Sequence, residues 1–368
     1  MKQGGLAALL LRWFDQYQRD LPWRRGYDPY QVWISEIMLQ QTQMERGVQY
    51  FQRWLERFPD CSALAAADID EVLRLWEGLG YYARARNLHR AAQQVMQQYA
   101  GRLPVDYDQL LELPGIGPYT AAAVVSIAHD QPRPVLDANV QRLLARILDI
   151  DSPIMQAANQ RRLHHTATEL LVGVSPRRLN QALMEFGALV CTPRKPSCTS
   201  CPVAVLCRAH RIGAEEDRPV RGRRQERIAI EMACAVICHQ SLIFIQQREN
   251  DDVWGGLWEF PGGRIETGEQ AAAAALREIR EETALQVGEL RPLATVVHHY
   301  TRYRVTLHGF LCELQQGETR PTLTAAQQFR WVSLPQLADH AFPAGHRRLR
   351  DILLRQFPGE CAVCLGDS

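Results

Sequence analysis

Net charge is almost absent from this 368-residue chain: 42 basic residues face 41 acidic ones, leaving +1 at pH 7. That balance excludes a global electrostatic pull on nucleic acid, so any such binding must come from local patches. Lysine is nearly missing too, since 40 of the 42 basic residues are arginine. Arginine forks suit phosphates, but a coding bias explains the ratio equally well, and no function is read from it. Long apolar runs are also missing, and none reaches the ~18 residues of a membrane span. The N-terminal "LAALLL" is too short for a secretory h-region and continues into "RWFDQYQ" as an amphipathic helix. A cytoplasmic protein without a membrane partner is expected. Internal repeats and low-complexity tracts are lacking as well.

What is there is an ordinary soluble composition, 46% hydrophobic and 23% charged, in a length that suits two or three domains. Residues 1 to about 210 read as helices: "EVLRLWEGL", "ARARNLHRAAQQVMQQYA" and "NQALMEFGALV" repeat apolar positions at three and four. The polar stretch "GAEEDRPVRGRRQER" then reads as a linker over 213–227. Beyond it come β-like runs, "IAIEMACAVIC", "SLIFIQQR" and "YRVTLHGFLCEL", with one alanine-rich helix at 270–282. An all-α half therefore precedes an α/β half.

Two motifs stand out in the first half. "LPGIGPYTAAAVVS", residues 113–126, places Gly115 and Gly117 before Pro118 and an apolar helical run, after the short helix "DYDQLLEL". Glycines there permit positive φ and close approach, and the unpaired N–H groups of the following helix suit a phosphate. An ordinary corner between two helices carries the same glycine pattern. The second motif is a quartet, Cys191, Cys198, Cys201 and Cys207, within 17 residues and spaced x6, x2 and x5. Zinc sites usually pair two short knuckles, whereas four thiolates on one irregular loop suit a 4Fe–4S cluster.

Together, hairpin and quartet resemble the helix-hairpin-helix DNA glycosylases that carry a cluster loop, the endonuclease III and MutY family. The resemblance covers about residues 6–210. It implies a six-helix lobe over about 23–132 and a cluster lobe over about 1–22 plus 133–212, within a glycosylase domain spanning 1–212. Arg194 and Lys195 in the cluster loop, with Arg208 after it, would contact phosphates alongside Gly115 and Gly117. Asp137, eighteen residues beyond Tyr119 in "PVLDANVQRLLAR", matches the family's essential aspartate. Glu36 in "VWISEIMLQQTQ" matches its partner carboxylate. Base excision needs a proton for the leaving group and stabilisation of an oxocarbenium-like sugar. Glu36, between Ile34, Ile37 and Met38, is expected to be desolvated and protonated, and Asp137 ionised.

Bifunctional members of the family carry a lysine where this chain has Tyr119, and a phenol cannot form a Schiff base with C1′. Tyr119 thus resembles the monofunctional MutY branch, in which this residue and Asn139 position the aspartate. The same resemblance assigns Trp23, Arg24 and Glu185 to an adenine pocket. It assigns Gln41 and Tyr81 to insertion beside the base left opposite the adenine, flipping being helped by such wedges.

"GGRIETGEQAAAAALREIREETAL" resembles a Nudix box: Gly263, Glu269, Arg277, Glu278, Glu281 and Glu282 match, and Ala284 replaces its late glycine. On a helix Glu278, Glu281 and Glu282 share a face and repel, an arrangement that Mg²⁺ would reward. MutY proteins carry a Nudix-like domain that reads 8-oxoguanine, and residues 228–357 would be that domain. The Phe-Ser-His of its recognition hairpin becomes Tyr300, Thr301 and Arg302 here. Residues 358–368 read as a tail, with a lone C-x-x-C at Cys361 and Cys364.

The expected protein is multidomain: an all-α helix-hairpin-helix glycosylase with a 4Fe–4S loop, then an α/β Nudix-like domain. It would act as a monomer on double-stranded DNA with adenine opposite 8-oxoguanine or guanine, in a bacterial-type, nucleoid-associated setting. Two rivals stay open. One is a bifunctional pyrimidine-damage glycosylase, which a lysine at 119 would favour. The other is a Nudix nucleotide-pool hydrolase whose helical half only binds DNA.

Overall fold

The computed structural model describes residues 3–222, 226–315 and 319–357. Parts of the expected linker (223–225) and the whole expected tail, with Cys361 and Cys364, lie outside the described residues. The chain forms two compact units, residues 1–66 with 87–224 and residues 67–86 with 225–368.

The first unit is helical. Local chemistry sets its main helix starts: Asp28 caps Pro29–Met38 by accepting from Gln31 N at 3.0 Å, Asp137 caps Ala138–Leu148, and Ser175 caps Pro176–Leu189. Pro29 and Pro176 occupy the first turn, where their missing N–H costs nothing. One core joins both ends of the unit: Leu6, Leu10 and Phe14 of Gln3–Tyr17 pack with Val140, Leu144, Leu183 and Phe186. A second holds Val32, Ala122, Ala123, Ile127 and Val135, with Tyr119 packed against it. The glycine-rich turn links Tyr107–Leu111 to Pro118–Ala123, which runs on as a π-helical turn over Val124–Ala128. Gly115 has φ +76°, and a Cβ there would lie 2.6 Å from Asn87 Cβ, so both conformation and space demand glycine.

The second unit is an α/β layer structure. Its strands are β1 (Ile228–His239), β2 (Leu242–Arg248), β3 (Trp258–Glu259), β4 (Gly262–Arg264), β5 (Arg291–Tyr300), β6 (Tyr303–Glu313) and β7 (Ala326–Ser333). The order is β3-β2-β1-β6-β5, with β4 paired to β1 and β7 to β2. β1 and β6 run parallel from Ile228↔Tyr303 to Cys238↔Glu313, and the other pairs are antiparallel. Alternation along β1 explains its unbroken apolar run. Ala233, Ala235 and Ile237 meet Ala274, Ala275 and Ile279 of the helix Ala271–Thr283. Cys234, Val236 and Cys238 share a core with Leu349 and Leu353 of a second helix, Ala344–Gln356. The sequence predicts one helix in this half; the second is hidden by its arginines, four of them in "GHRRLRDILLRQ".

Residues 67–86 belong to this unit, although the first half surrounds them in sequence. Their helix Ile69–Trp76 is capped by Asp68. Asp70 accepts from Gln247 Nε2 at 2.9 Å, and Glu77 accepts from Phe342 N at 2.9 Å and from both Arg350 Nη atoms at 3.0 and 2.9 Å. Tyr82 donates to the Phe342 carbonyl at 3.2 Å.

Candidate active site and metal centre

A cleft of about 680 Å³ opens in the first unit, a size typical of small-molecule sites. Glu36, Gln41, Tyr119, Asp137, Asn139, Trp23, Arg24 and Glu185 all line it, although they come from five separate stretches of chain. Glu36 rides on Pro29–Met38 among buried Trp33, Ile34 and Ile37 and is itself only 6% exposed. Burial pushes its carboxyl up to about 7, with Asp137 adding to the shift and the Tyr119 and Arg24 contacts opposing it. Asp137 is also pushed up by burial, but it accepts from Val140 N and Asn139 Nδ2, both at 2.7 Å, as the N-cap of its helix. Those donors and the helix N-terminus favour the anion. The two carboxyl groups therefore differ in kind: one sits in an apolar wall, the other in a ring of N–H groups.

Tyr119, expected to help position Asp137, lines the same cleft and donates its hydroxyl to Glu36 Oε2 at 2.7 Å. Its phenol is raised well above the ordinary value by burial and by the adjacent carboxyl, so it remains a donor. Asn139 is fixed in turn by Arg142, whose Nη2 donates to Asn139 Oδ1 at 2.9 Å and to the Gly187 carbonyl at 2.7 Å. Across the cleft, Glu185 is gripped by Arg19 at 2.8 Å through two nitrogens and by Arg24 at 3.0 Å. Burial alone would lift its carboxyl, but these guanidinium groups outweigh it and hold the value at about 2. Arg19 escaped the sequence reading; its only signal was the arginine-rich run "RDLPWRR". Trp23 is buried and meets Phe51 edge-on at 5.1 Å.

The four quartet cysteines line one cavity, together with Arg146, His210 and Glu215. Arg146, 1% exposed, donates to Cys191 Sγ at 3.3 Å and to the Thr192 carbonyl at 2.7 Å, fixing the start of the loop. Burial pushes Cys198 up to about 11 and raises Cys201 and Cys207, so these thiols ionise readily only beside a cation. Among the described residues, the one group of three or more potential ligands with atoms within 4.8 Å of one another is Cys198, His210 and Glu215. Arg194 and Lys195 on this loop and Arg208 just after it are exposed, and Lys195 takes φ +49°.

The remaining predicted residues lie elsewhere. Gly115 and Gly117 shape the hairpin rather than the cleft. Tyr81 sits in the second unit, its ring 5.8 Å from that of Tyr300. Thr301 and Arg302 form a two-residue turn between β5 and β6, with Thr301 at φ +50°. Arg302 folds back over Tyr303, 5.4 Å from its ring centre. Gln41, Tyr81, Lys195 and Thr301 all hold left-handed φ values between 49° and 60°, an uncommon state for such residues and one enriched at functional sites.

In the Nudix-like box the acids are not bare. Arg277 bonds Glu269 through two nitrogens at 3.0 Å, Glu278 at 2.9 Å and Glu281 at 3.1 Å. Glu282 accepts from Gln246 Nε2 at 2.9 Å and Gly262 N at 3.0 Å, while burial and neighbouring Glu259 lift it to about 7. A Cβ on Gly263 would lie 2.2 Å from Glu278 Oε1, so a side chain there would push the Glu278 carboxylate from its place. Ala284 takes φ +57° at the helix end, which explains why the pattern has glycine there.

Comparison with known proteins fits this anatomy. Residues 34–186 match the model of the HhH-GPD superfamily base excision DNA repair proteins, and residues 232–351 match the NUDIX domain model. The helical unit and its cleft thus define a base-excision-repair class of fold, fused to a Nudix-like domain. Adenine DNA glycosylase of Rattus norvegicus is 33% identical over 96% of this chain and 78% of its own length; that of Homo sapiens is 33% identical over 96% and 74%. A thermostable thymine-DNA glycosylase structure shares 29% identity, covers 57% of this chain and 97% of its own, and superposes with a TM-score of 0.53. The chain belongs to the adenine DNA glycosylase family. No helix among the described residues is long and apolar enough to cross a membrane.

Proposed function

We propose that the protein is a monofunctional glycosylase that hydrolyses the N-glycosidic bond of adenine mispaired with 8-oxoguanine or guanine in duplex DNA. The observation that carries this reading is the unequal carboxylate pair in one cleft, buried Glu36 held by Tyr119 and helix-capping Asp137 held by Asn139. Glu36, biased toward its protonated form, gives its proton to adenine N7. The C1′–N9 bond then breaks with its electron pair leaving on the base, and ionised Asp137 stabilises the sugar cation until water adds at C1′ and releases a proton. Tyr119 has no amine, so no step passes through a Schiff base. Glu185 is held ionised by Arg19 and Arg24 and serves as a pocket wall with Trp23, not as an acid.

In this reading the Gly115–Gly117 turn, Arg194 and Lys195 meet phosphates, Gln41 and Tyr81 enter the stack, and the Tyr300–Thr301–Arg302 turn reads the lesion. The chain acts as a monomer, with residues 1–212 as the glycosylase domain and 228–357 as the reading domain. Cys191, Cys198, Cys201 and Cys207 hold a structural 4Fe–4S cluster. Their common cavity supports this. Single-turnover excision on duplexes with adenine opposite 8-oxoguanine, guanine, cytosine and thymine tests the assignment. Fast release opposite the first two is expected; equal rates on all four would defeat it.

A second activity is favoured by one observation, the intact Arg277–Glu278–Glu281–Glu282 set around Gly263. These acids would hold Mg²⁺ for nucleotide hydrolysis. Glu281→Gln should then abolish Mg²⁺-dependent hydrolysis without changing excision, and absence of any hydrolysis by the unaltered protein refutes it.

A further inference from the structure

The Tyr300 ring has a second aromatic neighbour besides Tyr81. Trp254 meets it at 5.5 Å with the planes at 65°, an edge-to-face contact. Trp254 is half-buried and well anchored. Arg248 lies over its ring at 5.7 Å, and Arg248 is itself bound to Glu259, 2% exposed, at 2.6 Å and to Asp252. The loop after Trp254 allows little freedom: a Cβ on Gly255 would lie 2.5 Å from the carbonyl oxygens of Glu249 and Asn250. Arg86 donates to the Gly255 carbonyl and Gln247 Nε2 to that of Gly256 at 2.9 Å. A continuous chain thus runs from buried Glu259 through Arg248 and Trp254 to Tyr300 and on to Tyr81, all within the second unit.

We propose that Trp254 is a positioning residue for lesion specificity: it orients the Tyr300 ring so that Tyr300 and Tyr81 together meet the purine opposite the adenine. This rests on the reading that Tyr300 faces that base. Tyr300 stands at the edge of a two-residue turn, and the edge-on Trp254 ring, carried on its anchored loop, constrains the χ angles of Tyr300. Preorganisation of this kind improves discrimination without a new contact to the ligand.

The test is single-turnover excision by the full-length protein on adenine opposite 8-oxoguanine and opposite guanine. Trp254→Ala should lower the preference for 8-oxoguanine by about two- to tenfold, the range set by one aromatic pair, while the rate opposite guanine stays unchanged. Trp254→Phe should retain most of the preference, and Trp254→Ala added to Tyr300→Ala should cause no further loss. Should the alanine variant not fold, Trp254→Leu keeps apolar bulk without the ring and must show the same fall. Unchanged preference in Trp254→Ala or Trp254→Leu, with preference lost in Tyr300→Ala, overturns the role of Trp254 and leaves the reading of Tyr300 intact. Multiplicative losses in the double variant overturn it as well. Full preference in Tyr300→Ala removes the reading itself, and the role of Trp254 falls with it.

Discussion

Replacing Glu36 by glutamine should cut activity sharply and stabilise the protein at the same time. Burial holds the Glu36 carboxyl near 7 against an ordinary 4.5. Between those values the unfolded chain releases its proton while the folded chain keeps it, so stability falls as pH rises through the window and levels off above it. At about 1.4 kcal/mol per pH unit, the loss amounts to on the order of 3 kcal/mol. An amide does not titrate, and its oxygen still accepts from the Tyr119 hydroxyl. Glu36→Gln should therefore match the unaltered protein near pH 4.5 and exceed it by roughly 2–3 kcal/mol at pH 8. Excision should drop by about 10²–10⁴-fold, the usual worth of a general acid. Urea unfolding from pH 5 to 8.5, paired with single-turnover excision, measures both. A stability difference that does not grow with pH would refute the buried, proton-holding state of Glu36, and near-normal excision would refute its role as acid.

Other outcomes follow from the same geometry. Asp137→Asn should lose excision yet stay folded, because asparagine caps Ala138–Leu148 as well as aspartate does, whereas Asp137→Ala should also lose about 1 kcal/mol of stability in denaturant melts. Borohydride should trap no substantial enzyme–DNA adduct with the unaltered protein, and efficient trapping would overturn the role given to Tyr119. Glu185→Gln leaves Arg19 and Arg24 without their shared anion and should destabilise the fold by on the order of 3 kcal/mol, read as a lowered Tm. Anaerobically purified protein should contain about four irons and about four sulfides per chain; stoichiometric zinc without iron would refute the cluster.

Features whose meaning is carried by neighbours in the chain were legible without coordinates. The Gly-x-Gly-Pro turn, the box from Gly263 to Glu282 and the apolar setting of Glu36 each depend on residues a turn or two away. A capping aspartate, a left-handed glycine or an amphipathic helix is decided over that range too. Tertiary structure alone decided which distant groups share a proton, a charge or a ring face. Tyr119 reaches Glu36 across 83 residues, and Arg19 reaches Glu185 across 166, through bonds of 2.7 and 2.8 Å. Only packing fixes such distances, so the bond from Tyr119 to Glu36 could not be read along the chain. The helix Ile69–Trp76 reads as one more amphipathic helix of the first half, yet Asp70 and Glu77 bind Gln247 and Arg350. Local periodicity says that a face is buried, not against what; that choice belongs to the whole chain, and here it puts Tyr81 beside Tyr300.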